Sequence, residues 1–304
     1  MAHVGVLRAL EEHGIRPDCI AGASAGAIVG PSIPTFFADD IGTLNLLLIA
    51  AFLLMIPIPL IWKLERLRSS HLGNEDVSAD LSGDERLAGN PFSGFSNFVS
   101  NPYLLGIGLF ILLYVVMNTF IYFELRKMMG DFDREVRTQI WGGIDLAVNS
   151  LALVTALFAT GRLATRVGMS ATLALIPILM VGGWLVVALS PVLAVLVGLQ
   201  VTRRAGNYAI TRPGREMLFT AVDADTRFKA KPVIDIVVYR GGDVMTAWLY
   251  TALTATLGFG LAGIAAFAAG VAAVWAAAGI FLGRAYERGG KPRVDEMAEK
   301  EQEA

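Results

Sequence analysis

The chain has 304 residues, 55% of them hydrophobic and 17% charged, with a net charge of −2. Soluble domains carry about 25% charged residues, so the deficit excludes an ordinary water-solvated globule and points to lipid as the solvent, while the near-neutral charge excludes a nucleic-acid-binding surface. The single cysteine, Cys19, excludes an internal disulfide framework, and from the mixed opening segment with Arg8, Glu11, Glu12 and Arg16 no classical signal peptide is expected.

In chain order, Ile20–Phe37 is a weak apolar segment, rich in Gly, Ala and Pro. Leu44–Trp62 is the first clear stretch long enough to cross a hydrocarbon core of about 30 Å. Residues 69–102 change composition and read as a polar, acidic linker around Asp76, Asp80, Asp84 and Glu85. Apolar runs return at Leu104–Leu125, Ile140–Thr160, Ser170–Leu189 and Pro191–Ile210. Thr211–Asp243 mixes charges with Phe219, Phe228, Ile234 and Tyr239, which predicts an interfacial or docked helical connection. Met245–Leu282 is too long for one span and predicts a turn near Gly258, Gly260 and Gly263. Residues 289–304 form a charged tail. The pattern predicts an all-α polytopic membrane protein of about seven or eight spans.

Basic residues set the expected orientation. Lys63, Arg66 and Arg68 follow one span, Arg162 and Arg166 sit in a short turn, Arg203–Arg240 line the long connection, and Arg284–Arg293 follow the last span. Alternating spans place all four groups on one side, so the C-terminus is expected in the cytoplasm. The mixed loop Arg126–Arg137 falls opposite.

Gly22-Ala23-Ser24-Ala25-Gly26 matches G-x-S-x-G, the turn that exposes a nucleophilic serine in hydrolases. With its flank Ala2–Gly30, it resembles the patatin-like phospholipases, in which a helix precedes the strand that ends in the serine elbow. The resemblance implies Ser24 as nucleophile of a lipid acyl hydrolase and marks residues 1–30 as a patatin-like fragment. That family also carries a Gly-rich oxyanion loop ahead of the matching segment, which is expected to be absent here. Its catalytic Asp comes from an Asp-Gly motif, and this sequence has no Asp-Gly pair. Without a base a serine hydroxyl is a poor nucleophile, so the expectation from sequence is that the chain is not an enzyme. The alternative for these residues is structural: Gly22, Gly26 and Gly30, with Ala23 and Ala27, form a small-residue stripe for close helix packing, with Pro31 and Pro34 kinking or ending the helix.

A second resemblance rests on Arg212–Asp243, reading RPGREMLFTAVDADTRFKAKPVIDIVVYRGGD, and on the basic turn Gly161–Gly168. These are similar to the bacterial nucleotide (ATP/ADP) exchange transporters of the major facilitator superfamily. The resemblance implies a partial facilitator bundle in the bacterial inner membrane. Residues 31–68 would be the last helix or helices of a first half, and 103–288 a six-helix second half, joined to the patatin-like fragment by fusion or truncation. Alternating-access exchange of nucleotides or related anions would follow, with no cofactor and no metal. A half-facilitator would cover its inner face with a homodimer partner or another chain. A non-transporting membrane scaffold is a further alternative.

Polar residues inside spans are costly unless they face a bundle interior. Asp145 and Asn149, four residues apart, share a helix face and are the first candidates for a pathway, followed by Asn118, Gln200 and Asn207. Arg203, Arg204, Arg212, Arg215, Lys229, Lys231 and Arg240 supply a field suited to an anionic substrate; singly, each also reads as a topology marker or headgroup contact.

Overall fold

In a computed structural model, residues 21–55, 57–59, 61–63, 66, 93–158 and 167–289 are described. No strand occurs among them. The helices are α1 (Ala21–Ile41), α2 (Thr43–Met55), α3 (Ser93–Ser100), α4 (Pro102–Met128), α5 (Arg134–Phe158), α6 (Met169–Leu189), α7 (Leu193–Gly206), α8 (Arg212–Leu218), α9 (Ala224–Pro232), α10 (Tyr239–Thr251) and α11 (Leu261–Gly289). The sequence dictates their ends locally. Asn101 caps α4 by accepting from the Tyr103 and Leu104 amides at 2.9 and 3.4 Å, and Pro102 starts the helix where a missing N–H costs nothing. Gly258, at φ +67, takes the left-handed conformation between α10 and α11, where the sequence predicted a turn.

The connection expected over Thr211–Asp243 is helical, and it is built from the joined ends of two long helices. A π-helical segment, Asn207–Thr211, carries α7 into α8, and a second, Val233–Val238, carries α9 into α10. Each lies beside a proline, Pro213 or Pro232. Pro213 removes one helical hydrogen bond and crowds the turn before it, and the π-turn there accommodates that disruption without ending the helix. The reversal itself is short. Asp223 caps α9 by accepting from the Thr226 amide at 2.9 Å.

Successive long helices alternate in direction. Tyr103 Oη donates to the Leu218 carbonyl at 3.1 Å, the Met169 amide donates to Glu287 at 2.8 Å, and the Thr220 and Tyr286 hydroxyls lie 3.3 Å apart. These contacts gather the starts of α4 and α6, the α8–α9 turn and the end of α11 at one end of the bundle. The core runs between α4, α6 and α11 and is closed by fully buried Trp184, Trp275, Phe110 and Phe120. Small residues bring α11 onto α6. A Cβ on Gly283 would lie 2.2 Å from Ser170 Cα, and one on Gly279 would lie 3.0 Å from the Leu173 carbonyl oxygen.

The two prolines of α1 do not end it; the helix runs through Pro31 and Pro34 to Ile41. Alpha-1 packs on α5. There the close approach is made by Gly142, whose Cβ would lie 2.7 Å from Thr35 Oγ1, and Gln139 donates to Asp39 at 2.7 Å. Gly30, the last member of the expected small-residue stripe, faces open space.

Among the described residues five helices are, by length and composition, long and apolar enough to cross a membrane: Leu44–Lys63, Pro102–Met128, Arg134–Phe158, Met169–Leu189 and Leu261–Gly289. The all-helical class and the apolar lengths agree with the sequence reading, and five such helices among the described residues stand beside the seven or eight spans expected. Part of the difference is physical. The stretches from 193 to 221 and from 224 to 256 are broken into helix and π-turn, and both carry charge. Within the expected linker, Ser93–Ser100 is a helix set against α9, where a Cβ on Gly94 would lie 2.2 Å from the Lys229 carbonyl oxygen. Residues 69–92, the basic turn with Arg162 and Arg166, and the tail beyond Gly289 lie outside the described residues.

Candidate active site and polar clusters of the bundle

Ser24 is the fourth residue of α1, so the G-x-S-x-G motif is on helical backbone. The segment that would supply a strand ahead of it, residues 1–20, lies outside the described residues. The acids of the same helix do not serve Ser24. Asp39 and Asp40 stand fifteen and sixteen positions along, about 22–24 Å away at the helical rise, and Asp39 is engaged by Gln139.

The other predicted residues fall into two groups. In the bundle, Asp145 of α5 is ion-paired with Arg204 of α7, so these two candidates meet each other across a helix contact. Arg203, next along, is 1% exposed. Its Nη2 donates to Gln200 at 2.9 Å and its guanidinium lies 5.2 Å from the Tyr114 ring centroid. Arg203 Nε and Nη1 have no hydrogen-bond partner among the described residues. The aromatic face of Tyr114 and the Gln200 carbonyl offset part of the desolvation of this charge. Asn118 and Asn207 are half-buried on α4 and at the first π-turn, and Asn149 lies on α5 one turn beyond Asp145.

At the bundle end, Lys231 donates to Glu216 at 2.5 Å, and Arg215 lies 3.6 Å from Glu216 and 3.7 Å from Asp235. Burial raises the Glu216 pKa, but the Lys231 hydrogen bond and the charges of Lys231, Arg215 and Arg212 outweigh it and hold the carboxyl below its usual range. Lys229 pairs with Asp225 at 2.8 Å within α9. Arg212 and Arg240 are exposed, and Arg240 lies 3.8 Å from Asp243. The structure therefore brings Arg215, Lys231 and Arg212 around one carboxylate and leaves Lys229 and Arg240 in local pairs.

Glu124 of α4 lies in the apolar run Leu104–Leu125. It is 1% exposed and accepts a hydrogen bond from Tyr250 at 2.8 Å. Its position inside an apolar run was the available signal. Glu287 was not singled out, and it caps α6 through the Met169 and Ser170 amides. Among the described residues no three His, Cys, Asp or Glu side chains cluster as metal ligands.

Comparison with known proteins decides the family. The model of the patatin-like phospholipases matches residues 1–167. The chain belongs to the patatin-like phospholipase family. No curated protein and no solved structure matches it. The family match overturns the reading as a nucleotide-exchange facilitator: no transporter family is found, and the resemblance of Arg212–Asp243 to those transporters does not assign the chain. It also corrects the expectation that the chain is not an enzyme, because patatin-like proteins are lipid hydrolases. The short run Arg212–Asp243 misled because basic, proline-interrupted helix ends recur wherever a membrane helix meets headgroups.

Proposed function

We propose that this patatin-like protein is a membrane-embedded lipid acyl hydrolase with Ser24 as its nucleophile. The observation that carries the reading is the family match over residues 1–167, which contains Gly22-Ala23-Ser24-Ala25-Gly26. In the reaction, Ser24 Oγ attacks the ester carbonyl of a glycerolipid and gives up its proton to a base. The oxyanion collapses and the protonated alcohol leaves. Water then hydrolyses the acyl-serine and releases a fatty acid. The apolar helices following the motif hold the chain in the bilayer that contains its substrate.

The test is a fluorophosphonate probe on the detergent-solubilised chain, with fatty-acid release from phospholipid vesicles measured in parallel. Labelling and release are expected in the parent and are expected to disappear in Ser24→Ala. Equal labelling of parent and variant, or no release above background, overturns the proposal.

A further inference from the structure

The turn between α8 and α9 encloses a cavity of about 550 Å³ that lies outside the residues matched by the family. Its apolar wall is Phe219, Phe228 and Ile236, and its polar wall includes Glu216, Arg227 and Lys231. The volume falls within the usual range for small-molecule sites. Arg215 flanks the cavity. Its surroundings therefore hold four cations (Arg212, Arg215, Arg227, Lys231) against two carboxylates (Glu216, Asp235). Both carboxylates are already engaged, Glu216 by Lys231 and Arg215 and Asp235 by Arg215. Arg227 has no ion pair among the described residues; its guanidinium lies 5.8 Å from the exposed Phe228 ring. Arg227 is left over, at the end of the bundle where helix ends and turns collect, beside apolar groups that stay exposed: Phe228 is 67% and Ile236 62% accessible.

We infer that this cavity binds the phosphate of an anionic phospholipid, with Arg227 as anchor and the Phe228–Ile236 wall against the first carbons of the acyl chains. The chemistry is charge complementarity combined with amphipathic depth. Guanidinium grips a phosphate bidentately. A basic site at a helix end favours net-negative lipids over zwitterionic ones. A phosphatidylcholine headgroup would bring its own ammonium towards Arg227 and Lys231. The inference concerns residues beyond the matched segment and does not depend on hydrolysis at Ser24.

The experiment uses the full chain carrying Ser24→Ala, so that lipid is not consumed, in nanodiscs of mixed phosphatidylglycerol and phosphatidylcholine. Retained lipid is counted by native mass spectrometry after detergent release. Preferential retention of phosphatidylglycerol on the order of tenfold, equivalent to about 1.4 kcal/mol, is expected. Arg227→Gln is expected to remove the preference, whereas Arg137→Gln at the opposite end is expected to keep it. Equal retention of the two lipids, or equal loss from both arginine variants, overturns the proposal. Inorganic phosphate is added as a competitor. Failure to displace the lipid assigns the site to membrane phospholipid, and full displacement at millimolar phosphate assigns the same phosphate chemistry to the free ion. Circular dichroism of Arg227→Gln excludes unfolding, and Phe228→Ser supplies a second variant expected to weaken retention through the chain-binding wall.

Discussion

The apolar helix Leu44–Lys63, which begins within α2, and α4 are both long, yet they are used in opposite ways. Among the described residues of the 18-residue window within Leu44–Lys63 none is buried, and of that within Pro102–Met128 61% is buried. Leu44, Phe52 and Trp62 point outward at 72%, 70% and 76% exposure, whereas Leu104, Ile107, Val115 and Phe120 of α4 are fully enclosed. In water such an exposed helix would collapse onto the rest of the molecule. Its persistence as an apolar rod fits lipid as its partner, because lipid tails exert no force driving it into the bundle. The comparison separates two meanings of an apolar run: core in α4, solvent-matching surface in α2.

The comparison breaks most sharply at the aromatic core. Trp275 is buried, with ring centroids 5.6 Å from Phe110 and 5.9 Å from Tyr114. Trp275→Ala is expected to cost about 3–5 kcal/mol, and Phe52→Ala in α2 about 0.5 kcal/mol or less. Unfolding by denaturing detergent, followed by tryptophan fluorescence for Phe52→Ala and by circular dichroism for both, checks the pair. Comparable losses would mean that α2 is packed rather than exposed. A charge inverts the test. Phe52→Arg near the middle of α2 is expected to cost about 2.5–3.5 kcal/mol of membrane insertion, read as loss of the protein from carbonate-washed membranes. Unchanged retention would remove α2 from the bilayer.

The smallest effect is pH-dependent and confined to the bundle end, since Thr43–Met55 contains no titratable side chain. The Glu216 carboxyl is held below its ordinary value of 4.5 by neighbouring cations, after burial has pushed it the other way. A lowered folded-state pKa contributes stability that is present above the unfolded value and is lost as pH falls through the folded one. The α8–α9 turn is therefore expected to loosen below about pH 4.5. Hydrogen exchange at Leu218–Thr226 in the parent and in Glu216→Gln measures it: the parent amides gain exchange on acidification, and those of the variant show no such change. A pH-independent parent would show that the Lys231 pair does not hold the turn.

Much of the helix pattern was legible. The apolar runs at Leu104–Leu125, Ser170–Leu189 and Met245–Leu282, and the Gly258 turn in the last, follow from segment length and glycine position. The π-turns were not, because nothing in local propensity says that a helix will absorb Pro213 or Pro232 rather than stop. Nor was the pairing of Asp145 with Arg204, since the two are 59 positions apart. The serine motif was readable at Gly22–Gly26, but its weight was misjudged. A missing Asp-Gly pair argued against catalysis, and a basic run in Arg212–Asp243 argued for transport, whereas the family match extends over residues 1–167.

By itself the sequence determined that this chain is helical and that much of it is suited to lipid, because hydrophobic length and scarcity of charge act through local composition and need no neighbour. Tertiary structure alone decided which apolar faces became core, which prolines a helix absorbs, and which of its cations meet a carboxylate. Those outcomes depend on distances between residues far apart in the chain, and packing sets such distances only after every helix has found its place.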